Sequence, residues 1–141
     1  MNRFRHAVAI VVLLAACSGA ADPADLLSRQ IVVGEFGGPN VTLHADAQSA
    51  SVDLGCSLVQ ISAPLLTDDR GNFVLTGQRS RIGGAPPMPG EGTTPVRVNG
   101  HASDANGGTI ELLIQPLPEA QGESNSVVAV RNQQANLLRC P

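Results

Sequence analysis

From residue 41 onward, apolar side chains recur at every second position in short runs broken by turn-forming residues. This period of two restricts the fold more than any other feature of the chain. Val41, Leu43 and Ala45 alternate with Thr42, His44 and Asp46; Ala50, Val52, Leu54 and Cys56 alternate with Ser51, Asp53 and Gly55. Val59, Ile61 and Ala63 continue the pattern as far as Pro64, and Phe73, Leu75 and Gly77 resume it after Asp68-Asp69-Arg70-Gly71-Asn72. Val96, Val98, Gly100 and Ala102 precede the turn Asp104 to Gly108, and Ile110, Leu112 and Ile114 follow it. Val128 and Val130, then Leu138 and Cys140, complete the series. Successive side chains of a strand face opposite sides, so this pattern predicts half-buried strands and not helices.

Runs of this length between Gly, Asn and Asp turns predict an all-β antiparallel meander of about eight strands, nine if Ile31 to Phe36 forms one. Two architectures satisfy it, a small barrel, lipocalin-like in outline, or a β-sandwich. The cysteines fall in the inward phase, Cys56 with Leu54 and Cys140 with Leu138, so a bridge between them would tie the last strand to an early one. Many inward positions are Ala, Gly or Val, which predicts a narrow or poorly filled interior.

The first 29 residues follow a different rule. Arg3, Arg5 and His6 precede an unbroken apolar run from Ala7 to Ala16. That is the basic n-region and h-region of an export signal. Ten helical residues span about 15 Å, half of a hydrocarbon core, so the run is not a membrane anchor by itself. Leu14-Ala15-Ala16-Cys17 then resembles the lipobox of bacterial lipoproteins. The resemblance implies cleavage before Cys17, a thioether-linked diacylglycerol on its Sγ and acylation, as by palmitate, of the new amine. Ser18-Gly19-Ala20 before Ala21 also passes as an ordinary secretory cleavage site, and either reading exports the chain. The organisation expected is a signal peptide at 1–16, a lipidated tether at 17–29 and a β domain at 30–141. Ser18 after the lipidated cysteine resembles the signal that sends lipoproteins to the outer membrane, facing the periplasm; the alternative is a secreted protein.

With Cys17 lipidated, Cys56 and Cys140 remain as one even pair in an oxidising compartment, which predicts a structural disulfide. Two isolated cysteines without Cys-x-x-Cys spacing or a neighbouring histidine do not resemble a zinc site.

Residues 83–95 break the alternation with four glycines and four prolines around Pro86-Pro87-Met88-Pro89. Such a run suits neither helix nor central strand and predicts a long exposed loop, the candidate interaction loop of the domain.

Together, Gly34-Glu35-Phe36-Gly37-Gly38, the strand ending at Cys56, Pro64-Leu65, Asp69-Arg70-Gly71-Asn72-Phe73 with Gly77, the Pro/Gly loop and the near-terminal Cys140 form a set of landmarks. The set resembles a recurrent group of small exported bacterial β-domain proteins, many of them lipoproteins, in which tryptophan usually stands at Phe36. The resemblance covers most of residues 34–140. It implies a compact β domain with a Cys56–Cys140 bridge and carries no catalytic residues.

Composition narrows the chemistry. The formal net charge is -3, and it becomes about -5 once Arg3 and Arg5 are removed, which argues against a nucleic-acid binder. The chain has no Trp and no Tyr, so it lacks base-stacking platforms and aromatic cages. There is no Gly-x-Ser-x-Gly elbow and no phosphate loop, since the Gly-Gly pairs lack a following helix and lysine. Asp68 and Asp69 lie in turn-forming sequence, and His44 and His101 take outward positions on strands. On adjacent strands, His44, Asp46 and His101 would form a two-histidine, one-carboxylate metal cluster; otherwise they are surface residues. No cofactor and no catalytic residue is expected. The sequence therefore predicts a non-enzymatic, membrane-anchored binding or interaction module whose partners are the bilayer and a small apolar ligand or an envelope protein. A purely structural envelope protein and a protease inhibitor using the 83–95 loop are the alternatives.

Overall fold

A computed structural model describes residues 29–83, 92–103, 107–118 and 122–140. The signal peptide, Cys17 and most of the tether lie outside the described residues, as do Pro86, Pro87, Met88 and Pro89.

The described chain is all β. Its strands are β1 (Gln30–Val32), β2 (Gly34–Gly38), β3 (Val41–Ala45), β4 (Ala50–Asp53), β5 (Ser57–Ile61) and β6 (Leu65–Thr67). They continue as β7 (Asn72–Arg81), β8 (Thr94–Ala102), β9 (Thr109–Pro116) and β10 (Asn125–Arg131). Eight of them close into one antiparallel barrel in the order β10-β2-β3-β4-β5-β7-β8-β9, so the barrel and not the sandwich is the architecture. The ladders are uneven. β7 and β8 share eight residue pairs, whereas the closing seam between β2 and β10 has two, Val130 with Gly37 and Arg131 with Phe36.

The alternation predicted for β3, β4, β5, β7, β8 and β9 puts the expected side chains inside. Val41, Leu43, Val52, Val59, Val96, Val98, Ile110 and Ile114 have no exposed surface. Small inward residues do not leave voids, because neighbours occupy the space. The Phe73 ring lies where a Cβ on Gly100 would be, and Ile61 and Val59 lie about 3 Å from the corresponding point on Gly77. Fully buried side chains border no water-sized hole, so the interior is filled.

β1 and β6 stand apart from the barrel as a two-stranded ribbon, with Ile31 opposite Leu66 and Val32 opposite Leu65. Its inner face, Val32, Leu65 and Thr67, is buried. Val32 reaches the β8–β9 turn, 3.1 Å from the Cβ position of Gly107, and Arg131 donates to the Val33 carbonyl at 2.8 Å. The ribbon therefore caps one end of the barrel.

Four expectations need correction. Ile31 to Phe36 is two strands, because Gly34 at φ 139° turns the chain out of the ribbon and into the barrel. β5 ends at Ile61, short of Ala63 and Pro64, and Pro64 is followed at once by β6. In β10 the inward residues are Val127 and Ala129, while Val128 is 46% exposed. The cysteines are not in the inward phase: Gly55 at φ 82° shifts the register so that Ser57 is buried, and Leu138 lies 71% exposed in a segment without a strand.

Candidate functional site

Residues 132–140 do not add a strand; they form a strap. Asn132 adopts a left-handed conformation, φ 57°, and reverses the chain with Gln133 N–H donating to the Val130 carbonyl at 3.1 Å. The strap then runs back along β2 and forms a parallel bridge between Asn136 and Pro39. Asn136 N–H donates to the Gly38 carbonyl at 3.3 Å, and Asn40 N–H donates to the Asn136 carbonyl at 3.0 Å. The Asn40 side chain accepts from Leu138 N–H at 3.0 Å. Arg139 pairs with Asp53 at 3.1 Å, and Cys140 is disulfide-bonded to Cys56 with their Cα atoms 5.2 Å apart.

Glycines make this close approach feasible. A Cβ on Gly37 would meet the Gln133 carbonyl and the Ala135 amide, and one on Gly55 would meet the Leu138 carbonyl. The lack of a side chain at Gly37 and Gly55 thus leaves room for the strap. The disulfide does not close the barrel. It fastens the strap to the β4–β5 turn across the end opposite the ribbon.

Between the strap and the β2–β3 turn lies a groove of about 290 Å³ walled by Gly38, Pro39, Asn40, Gln133, Gln134, Asn136 and Leu138. Its polar side chains are all amides, each offering both donors and an acceptor. Arg139 at the end of the strap pairs with Asp53. No signal in the sequence marked this groove, because its walls come from segments that are far apart in the chain and individually unremarkable.

The histidines do not meet. β3 and β8 are four strands apart in either direction round the barrel, so the adjacency needed for a His44–Asp46–His101 cluster is absent. His44 Nδ1 pairs with the Glu35 carboxylate across the β2–β3 ladder, and His101 Nδ1 lies 3.1 Å from Asn72 Oδ1. Among the described residues no three His, Cys, Asp or Glu side chains form a metal-ligating group. Among the described residues, the two aspartates with perturbed acidity are turn residues. Asp68 is held below the usual carboxylate range chiefly by Asn72 N–H, with Arg70 N–H assisting. Asp46 is lowered by Gln48 N–H and by the Ser49 hydroxyl and N–H.

No protein-family model matches the chain, and searches of curated proteins and of solved structures find no match.

Proposed function

We propose that this chain is a membrane-anchored, non-enzymatic interaction module of the bacterial cell envelope, fastened through acylated Cys17 and directed to a protein partner. The observation that carries the reading is the position of the groove beside the strap. The interior is filled by side chains with no exposure, which disfavours a small apolar ligand held in a lumen. The groove beside the strap lies outside the barrel and is walled by amides. Amide side chains both donate and accept, and so match the alternating N–H and C=O groups of an extended polypeptide. A purely structural envelope role is the second reading, and the filled interior suits it equally.

Site-specific photo-crosslinking in the intact envelope separates the two. A photoreactive residue at Gln134, in the groove, should give a discrete protein adduct. The same residue at Gln60, exposed on β5, should not. Absence of any adduct from Gln134 would favour the structural role.

A further inference from the structure

The strap lies outside both the closure and the core of the barrel. Every residue of the buried apolar core falls between Val32 and Ala129, and the pairs that close the cylinder end at Arg131. Residues 132–140 therefore begin after the barrel is complete, and Leu138 spends its apolar side chain largely in water. Beyond the reversal at Asn132, Asn136 exchanges two backbone hydrogen bonds with Gly38 and Asn40. Leu138 N–H donates to the Asn40 side chain, and Arg139 pairs with Asp53. Single hydrogen bonds give a small net gain, and an ion pair at the surface contributes little. The Cys56–Cys140 bond is the covalent attachment at the far end of this weakly held segment.

The two sulfurs differ in what holds them. Cys56 belongs to a turn secured without the strap. Leu54 N–H donates to the Ser57 carbonyl at 2.8 Å, and Ile82 N–H donates to the Cys56 carbonyl at 2.9 Å. Gly55 N–H donates to Asp53 Oδ1 at 2.8 Å. Cys140 rides on the strap. Both cysteines are half-buried and outside the core, so an external thiol can reach the bond. Four of the seven residues that wall the groove, Gln133, Gln134, Asn136 and Leu138, come from the strap.

Resting on the reading of that groove as the partner site, we infer that the Cys56–Cys140 bond is a redox latch on partner binding. Oxidised, it holds the groove together. Reduced, it frees the strap to swing about Asn132, and the groove is lost while the barrel stays folded. The reductant is a protein dithiol. One of its thiolates attacks a sulfur of the bond, releasing one cysteine and forming a mixed disulfide with the other. Its second thiol attacks that mixed disulfide and releases the second cysteine. Two electrons and two protons pass to Cys56 and Cys140, which become thiols, and the dithiol leaves as a disulfide. The Cys56 turn keeps its own hydrogen bonds, so an oxidant restores the same pair.

The test has two arms. In the first, amide NMR spectra of the full mature protein are compared before and after reduction with dithiothreitol, with thiol release followed by alkylation. Asn136 and Leu138 should move to the shifts of an unstructured chain, while Val52, Val98 and Ile114 keep their barrel positions. The double variant Cys56→Ser/Cys140→Ser should match the reduced protein. Strap signals that stay in place after both thiols are free would overturn the inference, and so would loss of the barrel signals along with them. In the second arm, a photoreactive residue at Gln134 is placed in wild type and in the double variant, in intact envelopes without added reductant, so that no other disulfide is disturbed. Wild type should give its protein adduct and the double variant several-fold less. Equal adduct from the two would overturn the latch while leaving the groove reading intact. No adduct from wild type would instead reject the groove reading, and the gating with it.

Discussion

The guanidinium carbon of Arg131 lies 4.6 Å from the centroid of the Phe36 ring, joining the last strand of the barrel to its first. Phe36 is 1% exposed, and Arg131 also donates to the Val33 carbonyl, so one side chain connects the closing seam to the cap. Phe36→Ala should cost about 3–5 kcal/mol through the lost burial and the cavity left behind. A double-mutant cycle with Arg131→Ala, read by urea denaturation, should give a coupling of about 0.5–1 kcal/mol. A coupling near zero would mean that the stacked geometry adds nothing to the area buried.

The disulfide closes 84 residues of chain. The chain-entropy account assigns a loop of that size on the order of 4–5 kcal/mol. Paired Cys56→Ser and Cys140→Ser replacement should lower the urea midpoint accordingly. Native-state hydrogen exchange should speed up first at Asn136 and Leu138, whose amides hold the strap. Uniform acceleration over the whole barrel would contradict a strap that can be released locally.

Gly37 and Gly92 make a matched pair of substitutions. Alanine at 37 would run into the strap backbone, whereas nothing lies within 4 Å of the Cβ position at 92. Gly37→Ala should destabilise by about 2 kcal/mol or more, and Gly92→Ala should stay within about 0.5 kcal/mol of wild type. Equal melting temperatures for the two would mean that the strap gives way without cost.

Asp46 and Asp68 should produce an acid-side loss of stability. Their folded-state acidities are increased by turn hydrogen bonds, so the contribution is fully present above the unfolded carboxylate value near 3.9. It disappears as pH falls through the lower folded-state values. Stability measured from pH 5 down to pH 2 should fall, and Asp46→Asn/Asp68→Asn should flatten the curve in that window. An unchanged slope would assign the acid sensitivity to other groups.

Globomycin, which blocks lipoprotein signal cleavage, should cause the unprocessed precursor to accumulate, and Cys17→Ser should do the same. Normal maturation under the drug would point to cleavage near Ala20 and a secreted product.

Strands β3, β4 and β8 were legible because they alternate cleanly between apolar and polar positions, and β5, β7 and β9 because a single outward apolar residue, Leu58, Val74 or Leu113, interrupts the pattern without hiding it. The sequence is silent where alternation stops. Ile31-Val32-Val33 is apolar throughout, so the break between the ribbon and the barrel is invisible until Gly34 turns. Val127-Val128-Ala129-Val130 supports either phase, and only pairing with β9 selects one. Leu138 and Cys140 have strand spacing, yet their backbone meets Asn40 and Gly55 instead of a ladder. The groove had no signature at all, since asparagine and glutamine at 40, 133, 134 and 136 announce nothing until the strap brings them together.

The two-pair seam between β2 and β10 sets an order of events. Phe36 and Gly37 must wait for Val130 and Arg131, more than ninety residues later, before the cylinder can shut. Contacts so distant in sequence are slow to form. The cylinder therefore cannot shut until nearly the whole polypeptide is available, and its closure belongs to the end of chain delivery.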